Sequence, residues 1–142
     1  MIISFCGHAD FVVTSDIEMQ MMEILEKCIG ESSAELLLGG YGAFDGFAYN
    51  CGVQYKKTHP KIKLVFVTPY IDRADNIGRK YDEIIYPPLE NVPYRFAISH
   101  RNKWMMQKAD IVIAYVEREH GGAFATLKQA KRFNKIIVNL AK

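Results

Sequence analysis

Residues 36–52 read LLLGGYGAFDGFAYNCG, and this stretch decides how the rest of the chain is read. Leu36, Leu37 and Leu38 form the short apolar run of a buried strand. Gly39, Gly40 and Gly42 follow at once. Ala43, Phe44, Phe47, Ala48, Cys51 and Tyr55 then recur at helical spacing. A strand that breaks into glycines and re-forms as a helix leaves backbone N–H groups bare at a helix N-terminus. That arrangement suits an anion, above all a phosphate.

Outward from this stretch the same alternation recurs. Residues 2–5 make a first apolar strand, ending in the turn Cys6-Gly7-His8. Ser15-Asp16-Ile17-Glu18 has the form of a capping box and opens a helix with Ile17, Met21, Ile24, Leu25 and Cys28 on one face, stopped by Gly30. Residues 63–67 (KLVFV) form a third strand ending at Thr68, and a short helix follows over 72–80. Residues 83–86 are a fourth strand. Asn91 and Pro93 predict the cap and first turn of a helix over 94–108. Residues 111–115 are a fifth strand, Gly121-Gly122 precede a helix through Phe133, and residues 136–140 are a last strand. Strands that are continuous apolar runs, alternating with helices, call for a parallel sheet covered on both faces. The expectation is one Rossmann-like α/β domain over residues 1–142, three-layered α/β/α, with a mainly parallel sheet of about six strands. In such sheets the ligand lies beyond the carboxyl ends of the strands. Gly7-His8, residues 39–45, Thr68 and Gly121-Gly122 all fall there.

Composition bounds the function classes. The 142 residues are 49% hydrophobic and 24% charged, as in a soluble globular protein. No apolar run is long enough to cross a bilayer, and the N-terminus lacks the features of a signal peptide. Cys6, Cys28 and Cys51 are odd in number and share no CxxC spacing, which indicates a reduced, cytoplasmic protein without a disulfide framework or zinc site. The net charge of +2 is unevenly spread. Residues 1–40 carry seven acids against Lys27 alone, whereas residues 95–142 carry ten Lys or Arg against Asp110, Glu117 and Glu119. Solvated helix faces of opposite sign are the simpler account. A nucleic-acid surface is possible but not favoured, since aromatic residues are not interleaved with the basic ones in a recognisable motif.

The individual residues narrow the chemistry. The spacing GGYGAFDG is not GxGxxG, and Thr68 stands where a dinucleotide enzyme would end its next strand in an acid. NAD-dependent redox chemistry is disfavoured, and no cofactor or metal is called for. Gly46 and Gly52 lie inside the second helix, either for close packing on the sheet or, at Gly46, for approach of a ligand. Asp45, in that helix's first turn, complements the helix dipole, binds a ribose hydroxyl or acts as a base. Arg101 shares a helix face with Tyr94, Ala97, Ile98, Trp104 and Met105, and a guanidinium on an apolar stripe requires a negative partner. That partner is Asp110, Asp45 or, the favoured reading, a ligand phosphate or ribose, with Asn102 beside it. His8 is a weaker candidate, as is His100. His59 and His120 read as exposed loop residues, and no GxSxG nucleophile elbow is present.

The glycine stretch, the CGH turn before it and HRNKWM…ADIVIAY…GGAFATLKQA after it resemble the SLOG superfamily, Rossmann-like domains related to the Lonely Guy and DNA-processing protein A families. Within it, the chain looks most like the small bacterial and phage proteins typified by YpsA. The resemblance implies a pocket for a nucleotide or nucleotide-derived ligand, and frequently a homodimer. It places the first glycine motif on Gly39, Gly40, Gly42 and Asp45, the helix-borne Arg on Arg101, and the second glycine motif on Gly121, Gly122 and Thr126. Lonely Guy enzymes, which cleave the N-glycosidic bond of nucleoside monophosphates, carry a Glu just after that second motif. Here the stretch reads Thr126-Leu127-Lys128-Gln129, and neither Lys nor Gln supplies a carboxylate. The leading expectation is therefore a nucleotide-binding domain with a sensor role, with Gly7, His8, Thr68 and the residues above as ligand contacts. The alternatives are an N-glycosidase using Asp45 and Arg101, and a nucleic-acid-associated protein.

Overall fold

The computed structural model describes the backbone of residues 1–142 and every side chain except that of Arg73. Six strands form one sheet: β1 (Ile2–Gly7), β2 (Ala34–Leu38), β3 (Ile62–Val67), β4 (Glu83–Ile85), β5 (Ile111–Tyr115) and β6 (Ile136–Asn139). Every pairing is parallel, in the order β4-β3-β2-β1-β5-β6. This is the Rossmann-like α/β fold that the alternation of elements predicts. Five α-helices connect the strands: α1 (Ser15–Ile29), α2 (Ala43–Lys56), α3 (Ala74–Gly78), α4 (Ala97–Lys108) and α5 (Gly122–Arg132). None is long and apolar enough to cross a membrane.

The central strands are mostly apolar because both sheet faces are covered there, whereas the edge strands β4 and β6 are exposed to half-buried. Successive residues point to opposite faces. On β1, Ile3 and Phe5 join Met21, Leu25 and Ile29 of α1 and Phe44, Phe47 and Cys51 of α2. Cys6 of β1, with Val65 and Val67 of β3 and Val112 and Ala114 of β5, joins Met105 and Met106 of α4 and Leu127 and Ala130 of α5. Ser4, on that second face and fully buried, donates its hydroxyl to the Met105 carbonyl at 2.9 Å and fastens β1 to α4.

Several local expectations are corrected. The α1 cap is Thr14, not Ser15. Its hydroxyl accepts from the Ile17 amide at 3.2 Å, so the cap sits one residue earlier than the box suggested. Gly30 does close α1, at φ 55°. Asn91 caps nothing: a 3-10 turn over Tyr94–Phe96 follows Pro93 and leads into α4, which has no side-chain cap. The segment 72–80 holds a 3-10 turn (Ile71–Arg73) and only the short α3. Gly52 packs against the sheet as expected, since a Cβ there would lie 2.6 Å from Leu64 Cδ2. Gly46 is different: it is exposed, with nothing within 4 Å of where a Cβ would stand.

Candidate ligand cleft

The strand order reverses between β1 and β5, and beyond their carboxyl ends the chain leaves a cleft of about 460 Å³. Crevices at such reversals are where open α/β sheets hold ligands. Gly7 and His8 reach it from the end of β1, and Gly39, Tyr41 and Asp45 from the turn between β2 and α2. Arg101 and Asn102 come from α4, and Gly121, Gly122 and Thr126 from the start of α5.

Other expected residues stand apart from the cleft wall, each with a local reason. Gly40, at φ 76°, lets the backbone pass Phe66, whose Cε1 would be 2.4 Å from a Cβ. Gly42, at φ 88°, is the residue before α2 and lies against Ala9. Thr68 is fully buried, and its hydroxyl donates to the Tyr70 carbonyl at 2.8 Å and accepts from the Tyr70 amide at 3.1 Å.

The two glycine turns differ in what they offer an anion. In the first, the Tyr41 amide already donates to Asp45 Oδ2 at 3.3 Å and the Ala43 amide to the Ala9 carbonyl at 3.0 Å. In the second, Ala125 donates back to Gly121, but the amides of Gly122, Ala123 and Phe124 have no acceptor among the described residues. These are the orphan donors of a helix N-terminus. Gly122 and Ala123 line the cleft, and no acidic side chain stands in the first turn of α5. Among the described residues the Phe44 and Asp45 amides at the start of α2 also lack an acceptor, but α5 offers three consecutive unpaired donors with no acid beside them and is the better anion-binding end. Thr126 closes the turn by donating its hydroxyl to the Gly122 carbonyl at 2.9 Å.

Arg101 is buried, with 2% exposure. Its Nη1 donates to the Gly39 carbonyl at 2.8 Å and the Val67 carbonyl at 2.6 Å, and its Nε to Asn102 Oδ1 at 2.8 Å. The guanidinium thus ties the carboxyl ends of β2 and β3 together. Neither expected ion pair forms. Asp110 instead accepts from the Ile2 amide at 2.7 Å, and among the described residues no ion pair joins Arg101 to Asp45. Burial lowers the Arg101 pKa, against the pull of Asp45. Nη2 has no hydrogen-bond partner among the described residues and faces the same spot as Asp45. A Cβ on Gly39 would lie 2.9 Å from Asp45 Oδ2 and 3.1 Å from Arg101 Nη2. Glycine at position 39 keeps that gap open.

Burial pushes the Asp45 carboxyl up to about 6, against the opposing effects of Arg101 and the Tyr41 amide. Near neutral pH this group is poised to accept or hold a proton. Cys6, also on the cleft wall, is driven up to about 12, first by burial and then by Asp45, so its thiol stays protonated and is a poor nucleophile. His8 is 3% exposed, and its Nε2 accepts from the Glu117 amide at 3.0 Å. An acceptor nitrogen fixes the neutral ring with its proton on Nδ1, and burial followed by Arg118 lowers its pKa. At the mouth, Arg118 pairs with both oxygens of Asp10, at 3.0 and 2.8 Å.

The sequence reading missed Ile98, Met105, Arg118 and His120 as cleft residues, whereas Tyr41 falls within the stretch 39–45 expected there. Arg118 and His120 follow β5 directly, so their place at a strand end was the one available signal. His59, expected in an exposed loop, stacks on Tyr55 at 3.7 Å between centroids and meets Glu26 at 3.1 Å, and it does not line the cleft. His100 is exposed on α4 and is not part of the cleft wall.

The fold and cleft define an α/β Rossmann-like domain that opens at the carboxyl end of its sheet. Solved structures share that fold. DNA processing protein A from Helicobacter pylori, described with a single-stranded DNA binding mode, superposes with a TM-score of 0.65 at 14% identity over 96% of this chain and 63% of that one. The Streptococcus pneumoniae protein of the same name gives 0.66 at 14% over 95% of this chain and 48% of that one. TM1055, a structural-genomics target, gives 0.62 at 13% over 96% and 71%. The chain thus spans less than two thirds of either DNA processing protein A. No family model matches the sequence, and no curated protein is similar to it. At this identity the likeness is one of fold.

Proposed function

We propose that the cleft binds a nucleotide or another phosphorylated, ribose-like ligand, with its phosphate on the amides of residues 122–124 and a hydroxyl or further phosphate oxygen between Asp45 and Arg101. One observation carries this reading: a guanidinium with 2% exposure keeps Nη2 unpartnered at the wall of an open cleft, beside a half-buried carboxylate. A buried charge without its full set of partners is costly, and a ligand oxygen would complete the set. The volume of about 460 Å³ suits a mononucleotide. Lys128-Gln129, where the resemblance to Lonely Guy enzymes calls for a Glu, favours binding without turnover, as in a sensor.

The decisive variant is not Arg101→Ala, which would also strip two strand-end carbonyls of their donor. Gly122→Asp is cleaner. The site has no atom within 4 Å of a Cβ, φ is ordinary, and an acid in the first helical turn suits the dipole. AMP and ribose 5-phosphate are expected to raise the melting temperature of the wild type, with adenosine much weaker. Gly122→Asp should abolish those shifts while its own melting temperature stays within a degree or two of the parent. Absence of any shift with the phosphorylated compounds sinks the reading.

Two further readings have their own support. The raised pKa of Asp45 beside Arg101 suits an N-glycosidase, for which base release from AMP, lost in Asp45→Asn, is the test. Nucleic-acid association is supported by the segregated charge and by the fold shared with DNA processing protein A, whose Helicobacter pylori form is described as binding single-stranded DNA.

A further inference from the structure

The layer of helices opposite α1 and α2 has a charge pattern that the cleft does not use. α4 carries Arg101, Lys103 and Lys108, and α5 carries Lys128, Lys131 and Arg132, with no acid on either helix. Arg101 points inward, but the other five are exposed. α1, on the far side of the sheet, carries Asp16, Glu18, Glu23 and Glu26 against Lys27. The sheet therefore separates an acidic layer from a basic one.

The basic layer also has aromatic surface placed within it. Each helix repeats one arrangement: a half-buried ring with a lysine one turn later, the ammonium 5.6 Å from the Trp104 ring for Lys108 and 5.5 Å from the Phe124 ring for Lys128. Both rings pack their inner sides on the core shared by α4 and α5, which holds them in place while leaving part of each outside. The sequence hid this interleaving because ring and lysine are four residues apart and the two helices are fourteen residues apart, yet they lie side by side in the fold. Neither ring and none of the five cations lines the cleft.

We propose that the outer face of α4 and α5 binds single-stranded nucleic acid, its phosphates met by Lys103, Lys108, Lys128 and Lys131 and its bases stacking on Trp104 and Phe124. The inference rests on the nucleic-acid reading above and assigns it a surface distinct from the cleft. Cations that track a backbone, combined with rings that accept any base, are what sequence-tolerant single-strand binding requires. A duplex, whose bases are already stacked, can use only the charge.

Trp104 is the only tryptophan in the chain, so its fluorescence reports on this face and no other. A fluorescein-labelled thymidine oligomer of about twenty nucleotides should bind with affinity that falls steeply between about 50 and 200 mM salt, and the unlabelled oligomer should quench Trp104 as it saturates. In a Lys103→Gln, Lys128→Gln, Lys131→Gln triple variant, affinity at the lower salt should drop at least about tenfold and the log–log salt slope should become shallower by about 2. The same sequence as a duplex should bind without quenching. No binding by the wild type at low salt sinks the nucleic-acid reading and this inference with it. Binding that leaves Trp104 unchanged, ignores the lysine variant and disappears in Gly122→Asp keeps that reading but moves it to the cleft, overturning the assignment of α4 and α5. Quenching that is equal for duplex and single strand overturns the stacking role of the rings.

Discussion

Asp45 and His8 titrate in opposite senses, and both follow from burial. Asp45 is raised from 3.8 to about 6, so between those values the folded protein binds more protons than the unfolded chain. Stability contributed by this residue therefore falls as pH rises through that window, and the loss persists at neutral pH. His8 is lowered from 6.5, first because burial takes its ring out of water and then because the Arg118 charge lies nearby. Its contribution is complete above 6.5 and declines as pH falls below that value, levelling off once the folded-state pKa is passed. Denaturation followed from pH 4 to 8 separates the two. Asp45→Asn keeps an acceptor for the Tyr41 amide and should be more stable than the parent by about 1–3 kcal/mol at pH 7, with little difference at pH 4. His8→Gln should lose the decline below 6.5. An Asp45→Asn protein no more stable at pH 7 than at pH 4, relative to the parent, would show that the carboxylate is better paired in solution than its surroundings imply.

At the scale of elements, α2 contains two glycines whose environments predict opposite outcomes. Gly46 is exposed with open space around it, so Gly46→Ala should stabilise by about 0.5–1 kcal/mol through helix propensity alone. Gly52 lies against β2 and β3, where a Cβ would come within 2.6 Å of Leu64 Cδ2 and 3.2 Å of Leu36 Cδ1. Gly52→Ala should cost about 1–3 kcal/mol from overpacking, partly offset by propensity. Urea denaturation of the pair checks both signs. In the sequence the two positions look alike, as glycines six residues apart in one helix. Only the distance to β2 and β3 tells them apart.

For the molecule as a whole, Arg101 matters most. It enters from α4, reaches across the top of the sheet and closes β2 and β3 together through two carbonyls 62 and 34 residues away in sequence. Arg101→Lys keeps the charge but supplies one compact ammonium in place of a planar fork. It cannot serve Gly39, Val67 and Asn102 together. We expect a loss of about 1–3 kcal/mol by chemical denaturation. Ligand-induced stabilisation should fall as well, because Gly39 and Asp45 share the same corner of the cleft. An unchanged denaturation midpoint would mean that solvent replaces the guanidinium at the strand ends. Across the sheet, the acidic α1 layer and basic α4–α5 layer give the molecule two unlike faces, and the cleft opens at the rim between them.

Local pattern determined a great deal by itself. Apolar runs alternating with amphipathic helices are enough to specify a covered parallel sheet, and the C-terminal rim follows from that sheet's connectivity, so Gly7, Gly39, Asp45 and Gly121-Gly122 were legible as a group, along with Thr68, which stands off the cleft, while Arg101 was legible only as a cation on an apolar helix face. Which groups remain free at that rim was not legible. The Tyr41 and Ala43 amides are already spent, those of residues 122–124 are not, and Arg101 bonds carbonyls before any ligand. Each of these depends on what another part of the chain brings within hydrogen-bonding distance. Periodicity tells which way a side chain faces, because it is a property of neighbours in sequence. Hydrogen-bond satisfaction, burial and the pKa shifts they cause are properties of neighbours in space, and only the tertiary structure decides them.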